Sequence, residues 1–172
     1  MKICCFTGHR PQNLPFRFDE QDARCVRLKQ ILQKEIERQI TENGVDAFIS
    51  GMAIGTDLYA AELVLTLKAV YPHLRLEAAI PCTSQADKWS EALQRRYRKL
   101  LTRCDVKTLL QREYDRDCMQ KRNRYMVDAS DTVIAVWDGR PSGTGQTVRY
   151  ALEQGKTVTV IDPVTFRVTI EK

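Results

Sequence analysis

Residues 131–161, DTVIAVWDGRPSGTGQTVRYALEQGKTVTVI, decide the fold. Thr132 to Trp137 is a near-continuous apolar run rich in β-branched residues, too short for a helix and suited to a strand buried on both faces. The segment Gly139-Arg-Pro-Ser-Gly143-Thr-Gly145 breaks it, a helix follows to Glu153 and stops at Gly155, and Thr157 to Ile161 reads as a second core strand. Two strands joined through a helix cannot close as a hairpin, so the unit predicts parallel neighbours with a helical crossover.

The same alternation extends toward the N-terminus. A helix over Asp117 to Ala129 precedes this unit, and before it come a short element at Asp105 to Leu109, a helix over Ala86 to Thr102 and a strand over Leu74 to Ile80 that stops at Pro81. Leu58 to Val70 reads as a strongly apolar helix after the strand Asp46 to Ser50. From Gln21 to Asn43, Cys25, Leu28, Ile31, Leu32, Ile36 and Ile40 recur at three- and four-residue intervals, the mark of an amphipathic helix, with Gly44 as its C-terminal stop. Lys2 to Phe6 opens the series as a strand, and alternation at Phe166, Val168 and Ile170 adds an edge strand in the tail 163–172. The expected fold is α/β, a doubly wound, Rossmann-like three-layer sandwich with a mainly parallel sheet, formed by one domain over 1–172 with its core at about 1–162.

Composition agrees with one soluble globule: 172 residues, 43% hydrophobic, 28% charged and a net charge of +5. No apolar run is long enough to span a membrane, and MKICCFTGHRP has too short an apolar stretch for a signal peptide, so a cytoplasmic location without membrane partners is expected. The six cysteines form no CxxC pair and read as reduced, and His9 and His73 stand too far apart in sequence to suggest a metal cluster.

Ligands of a parallel sheet bind beyond the carboxyl ends of its strands, where every unusual polar or glycine-rich segment of this chain falls. Thr7, Gly8, His9 and Arg10 follow the first strand and offer a hydroxyl, close backbone approach and a guanidinium. Gly51, Gly55, Thr56 and Asp57 form a strand-to-helix turn able to present backbone donors, with Asp57 either a helix cap or an acceptor for a ribose or base. Gly143, Thr144, Gly145 and Gln146 offer the strongest anion site in the sequence, beside the positive end of a helix. Lys88 and Trp89 follow the third strand, where the indole can stack on a base or plug the core. Arg122 shares a helix face with Met126 and turns either to the cleft or to a structural carboxylate. No recognised catalytic constellation is present, and catalytic residues are left unassigned.

TGHRP at 7–11, SGMAIGTD at 50–57 and RNRYMVDASDTVIAVWDGRPSGTGQTVRYA at 122–151, in that order, resemble the YpsA-like proteins of the SLOG group of Rossmann-like domains, formerly a family of unknown function. The resemblance implies binding of a nucleotide or nucleotide-derived ligand, with contacts at Gly8, His9, Arg10, Gly51, Gly55, Asp57, Gly143 and Thr144. The same group includes the cytokinin-activating phosphoribohydrolases and the DNA-processing protein A family. The phosphoribohydrolase pattern PGGxGTxxE is altered here, because Thr147 occupies the glutamate position.

The expected function is therefore binding of a nucleotide or nucleotide-sugar by a sensor or regulatory domain that requires no cofactor. One alternative is a nucleotide- or nucleoside-processing hydrolase using Asp57 or Asp128. Another, less favoured, is a single-stranded nucleic-acid binder using Trp89 and the Arg95–Lys99 run. Homo-oligomer formation is compatible with the apolar helix 58–70, which equally suits the interior of one chain.

Overall fold

The computed structural model describes residues 1–172. Its strands are β1 (Ile3–Gly8), β2 (Ala47–Ser50), β3 (Arg75–Ile80), β4 (Val106–Leu109), β5 (Thr132–Val136), β6 (Thr157–Ile161) and β7 (Val168–Glu171). Five helices intervene: α1 (Ala23–Thr41), α2 (Thr56–Leu67), α3 (Glu91–Arg103), α4 (Cys118–Asp128) and α5 (Gly143–Glu153). The sheet order is β4-β3-β2-β1-β5-β6-β7, parallel except for β7, which pairs antiparallel with β6 as the expected edge strand.

Alternation along the strands divides the core. Phe6, Phe48, Leu76 and Ile134 pack on the side of α1 and α2, whereas Cys5, Ile49, Ala79 and Val133 pack on the side of α4 and α5. Phe6 and Phe48 stack across β1 and β2 with centroids 5.6 Å apart. The six cysteines are buried and unpaired, and burial pushes the Cys5 thiol up to about 12.

Helix α2 is buried on almost every side between the sheet, α1 and α3, so its apolar surface is satisfied within one chain. The helix expected from Ala86 begins only at Glu91. Ser90 caps it through Leu93 N, and the Gln94 side chain donates to the Ala86 and Asp87 carbonyls, holding the preceding residues in turns. The Arg95–Lys99 run is not a continuous basic stripe. Arg96 is held by Glu20 and Glu62, Arg95 pairs with Glu91, and Tyr97 is buried.

Phe48 is fully buried, so Phe48→Ala is expected to cost about 3–5 kcal/mol, read as a lowered urea midpoint with the slope unchanged.

Candidate functional site

Strands β1 and β5 lie side by side, yet the chain leaves β1 toward β2 and leaves β5 toward β6, on opposite sides. Their carboxyl ends therefore diverge into a crevice, the switch point of a doubly wound sheet. A cavity of about 260 Å³ occupies it, walled by the loop after β1, the loop after β2 and the first turns of α4 and α5.

The loop after β1 is committed largely to the protein itself. His9 N donates to Val136 O at 3.1 Å, and His9 O accepts from Thr56 N and Oγ1. The buried His9 imidazole meets Asp138 Oδ1 through Nε2 at 3.0 Å. A Cβ on Gly8 would collide with the Thr56 side chain, so Gly8 admits α2 to β1, and it also lines the cavity. Thr7 and Arg10 remain available: both line the cavity, and neither side chain has a protein hydrogen-bond partner.

The loop after β2 spends part of its backbone on the protein itself. Met52 N donates to Ser50 Oγ, Ala53 N to Asp57 Oδ2 and Thr56 N to His9 O, so these backbone donors are already used. Gly55 is left-handed at φ +95°, and a Cβ there would lie 2.9 Å from His9 O. Gly51 leaves room for Arg122, whose Nη1 would lie 2.6 Å from an added Cβ.

Arg122 is a buried clamp. Its Nη1 donates to Gly51 O at 2.5 Å and reaches Gln85 Oε1 at 3.3 Å, while Nε donates to Asn123 Oδ1 at 2.9 Å. The second amino group, Nη2, meets only the Met119 sulfur at 3.8 Å. Asp57 is not the cap of its own helix: Gly55 holds that position, and Asp57 Oδ2 accepts from Ala53 N at 3.3 Å. Its Oδ1 has no protein partner and is not sealed off, which turns it to the cavity. Burial pushes the Asp57 carboxyl up, against the opposing charge of Arg122, the Ala53 amide and Arg10. Burial likewise pulls Arg122 down, with Asp57 opposing.

The loop after β5 carries open donors at a helix start. Ser142 caps α5 by accepting from Gly145 N through Oγ and from Gln146 N through its carbonyl. The amides of Gly143 and Thr144 have no partner in the protein and open at the positive end of α5. Gly145 is instead pressed against Trp137, with an added Cβ only 3.0 Å from the ring. Gln146 faces a neighbouring cavity of about 250 Å³ with Arg116, Arg124 and Tyr150. Thr147, at the hydrolase glutamate position, is buried and donates to Gly143 O at 3.1 Å.

Lys88 and Trp89 lie in a third cavity of about 430 Å³, which shares Arg10, Ala53 and Met119 with the central one. Trp89 packs edge-on against Tyr97 at 5.2 Å, so it serves both as core packing and as cavity wall. Asp128 does not join the cleft: it is exposed farther along α4 and accepts from Tyr150 Oη at 2.7 Å. That placement removes it from the pair of candidate acids, leaving Asp57.

Sequence reasoning missed Asn13, Met119, Asp138 and Ser142. The run Pro141-Ser-Gly-Thr contains a readable N-cap signal for Ser142, and Met119 stands one helical turn before Arg122. Asp138 had no local signal, because its partner His9 is 129 residues away.

The sequence profile described as the YspA SLOG family matches residues 4–166. The UPF0398 protein BH1768 of Halalkalibacterium halodurans is 29% identical, over 91% of this chain and 81% of its own length. The SPbeta prophage-derived protein YoqJ of Bacillus subtilis is 34% identical, over 73% of this chain and 81% of its own. Among solved structures, TM1055 aligns with a TM-score of 0.57 at 15% identity, covering 92% of this chain and 72% of that one. DNA processing protein A from Helicobacter pylori, described with a single-stranded DNA binding mode, aligns at 0.61 with 18% identity, covering 94% of this chain and 65% of that one. These two likenesses establish the Rossmann-like fold. No helix is long and apolar enough to cross a membrane.

The Asp138 carboxyl yields a stability prediction. Burial alone would raise it, but hydrogen bonds from the Arg140 side chain and amide, with His9, hold it at about 2 against an ordinary 3.8. The contribution is therefore present above pH 4 and is lost as pH falls toward 2. Asp138→Asn is expected to cost roughly 1 kcal/mol at pH 7 after discounting for the exposed Arg140. Urea midpoints of wild type and variant should converge as pH falls through that window.

Proposed function

The chain belongs to the YspA SLOG family, and from that premise we propose that it binds a nucleotide or nucleotide-derived ligand at the β1/β5 crevice as a sensor or regulatory domain. The observation that carries this reading is the convergence of the unpartnered Gly143 and Thr144 amides, the uncommitted Arg10 guanidinium and the Asp57 carboxylate on one cavity. Amides at a helix start suit phosphate oxygens, and a cationic fork beside them adds charge. Asp57 repels a phosphate at close range and accepts from hydroxyls, which suits a ribose. The required arrangement is thus an anionic group toward α5 and a hydroxyl-bearing group toward α2. The chemistry asks for no metal or additional cofactor.

A second reading, single-stranded nucleic acid along the same edge, is supported by Lys88, Arg10, Arg116 and Arg124 bordering the connected cavities and by the structural neighbour's description. Both readings put phosphate at the same edge of the sheet. They differ in length of ligand and in salt dependence.

A thermal-stability screen separates them, using nucleoside mono-, di- and triphosphates, ADP-ribose, NAD, cyclic dinucleotides and short single-stranded DNA. A bound small ligand at about 100-fold its Kd is expected to raise Tm by roughly 5–10 °C. Arg10→Ala should reduce the shift. Gly143→Pro should do so as well, because proline is tolerated at the first helical position and Ser142 is already extended, so one amide is removed without breaking α5. A shift only with DNA, falling steeply with salt, would favour the second reading; no shift with any compound would overturn both.

A further inference from the structure

The residues before α1 form a short strap whose side chains point in opposing directions. Leu14 and Phe16 are buried, yet Phe18 is 56% exposed. Between them, Arg17 takes a left-handed backbone at φ +53°, a conformation that costs a residue with a Cβ and persists only where its surroundings impose it. Those surroundings are identifiable. The Arg17 and Asp19 amides donate to Leu14 O and Phe16 O, and Glu20 is tied to both Arg96 and Lys29.

An apolar ring is thus held away from the core by a strained residue and an ion-pair anchor. The exposed ring borders a recess: Phe18 lines the 430 Å³ cavity with Ile54, Trp89, Leu93 and Met119. Trp89, fixed by its edge contact with Tyr97, supplies a second aromatic wall. The cavity adjoins the donor-lined crevice, sharing Arg10, Ala53 and Met119 with it. A volume of this size suits a planar heterocycle with its sugar, and aromatic walls bind such rings by stacking.

We propose that Phe18 and Trp89 form the seat for the base of a nucleotide whose phosphate lies at Gly143 and Thr144, with Phe18 the residue that distinguishes a base-bearing ligand from a sugar phosphate. This rests on the reading of the crevice as a phosphate site and assigns the aromatic lobe beside it. The strap supplies the jaw, and its anchoring limits the ordering required when the ring is engaged.

The test is isothermal titration of wild type, Phe18→Ala and Phe18→Tyr with the 5′-monophosphates of adenosine, guanosine, cytidine and uridine, and with ribose 5-phosphate. At least one nucleotide should bind wild type about tenfold or more tightly than ribose 5-phosphate, as expected for stacking of one base. Phe18→Ala should bring that nucleotide down to the level of the sugar phosphate without altering sugar-phosphate affinity or Tm, and Phe18→Tyr should restore it. Equal binding of nucleotides and ribose 5-phosphate would overturn the base seat while leaving the phosphate site intact. A nucleotide preference untouched by Phe18→Ala would also overturn it. No binding of any of these compounds, ribose 5-phosphate included, would remove the phosphate reading and this proposal with it.

Discussion

Phe6, Phe48 and Ile134 turn to one face of the sheet and Cys5, Ile49 and Val133 to the other, and all six are withdrawn from water. Parallel strands buried on both faces require helical returns on both sides, and those returns bring every strand out at the same edge. The remaining features follow from that constraint. Because β1 is central and β5 lies beside it while their connections part, the edge opens at one place, and the loops after β1, β2 and β5 meet there.

The meeting is close enough that much of the polar chemistry is spent internally. Arg122 crosses from α4 to the Gly51 carbonyl, Thr56 seats on His9, and His9 reaches Asp138. These contacts give the crevice fixed walls instead of a field of competing donors. The groups left uncommitted include amides at the start of α5, the Thr7 hydroxyl, a guanidinium at Arg10 and a carboxylate oxygen at Asp57. Fixed dipoles of this kind bind without first having to reorganise, which is the physical advantage of building a site on helix and strand ends.

Glycines illustrate how far a motif can be read. SGMAIGTD resembles a phosphate-binding turn, and its position between a strand and a helix is correct. The space at Gly51 and Gly55, however, is filled by Arg122 and the backbone of His9. The Ser142-Gly-Thr segment keeps the amides of Gly143 and Thr144 open, while Ser142 itself satisfies the donors of Gly145 and Gln146. Similarly, the Arg95–Lys99 run reads as a basic surface but contains a buried tyrosine and an arginine held by two glutamates. Local composition cannot reveal a partner that arrives from another part of the chain.

Local patterning by itself determined the alternation of strands and helices, the parallel core, the edge strand in the tail and the edge at which the glycine-rich and polar loops gather. Those features depend on hydrophobic period and chain breaks, which are properties of neighbouring residues. Tertiary structure alone decided which polar groups are free: it consumed the Met52, Ala53 and Thr56 donors after β2, paired His9 with Asp138, moved Asp128 out of the cleft and held Phe18 at a cavity mouth. Availability is set by what else reaches each atom. Contacts spanning 71 or 129 residues make that a property of the folded chain.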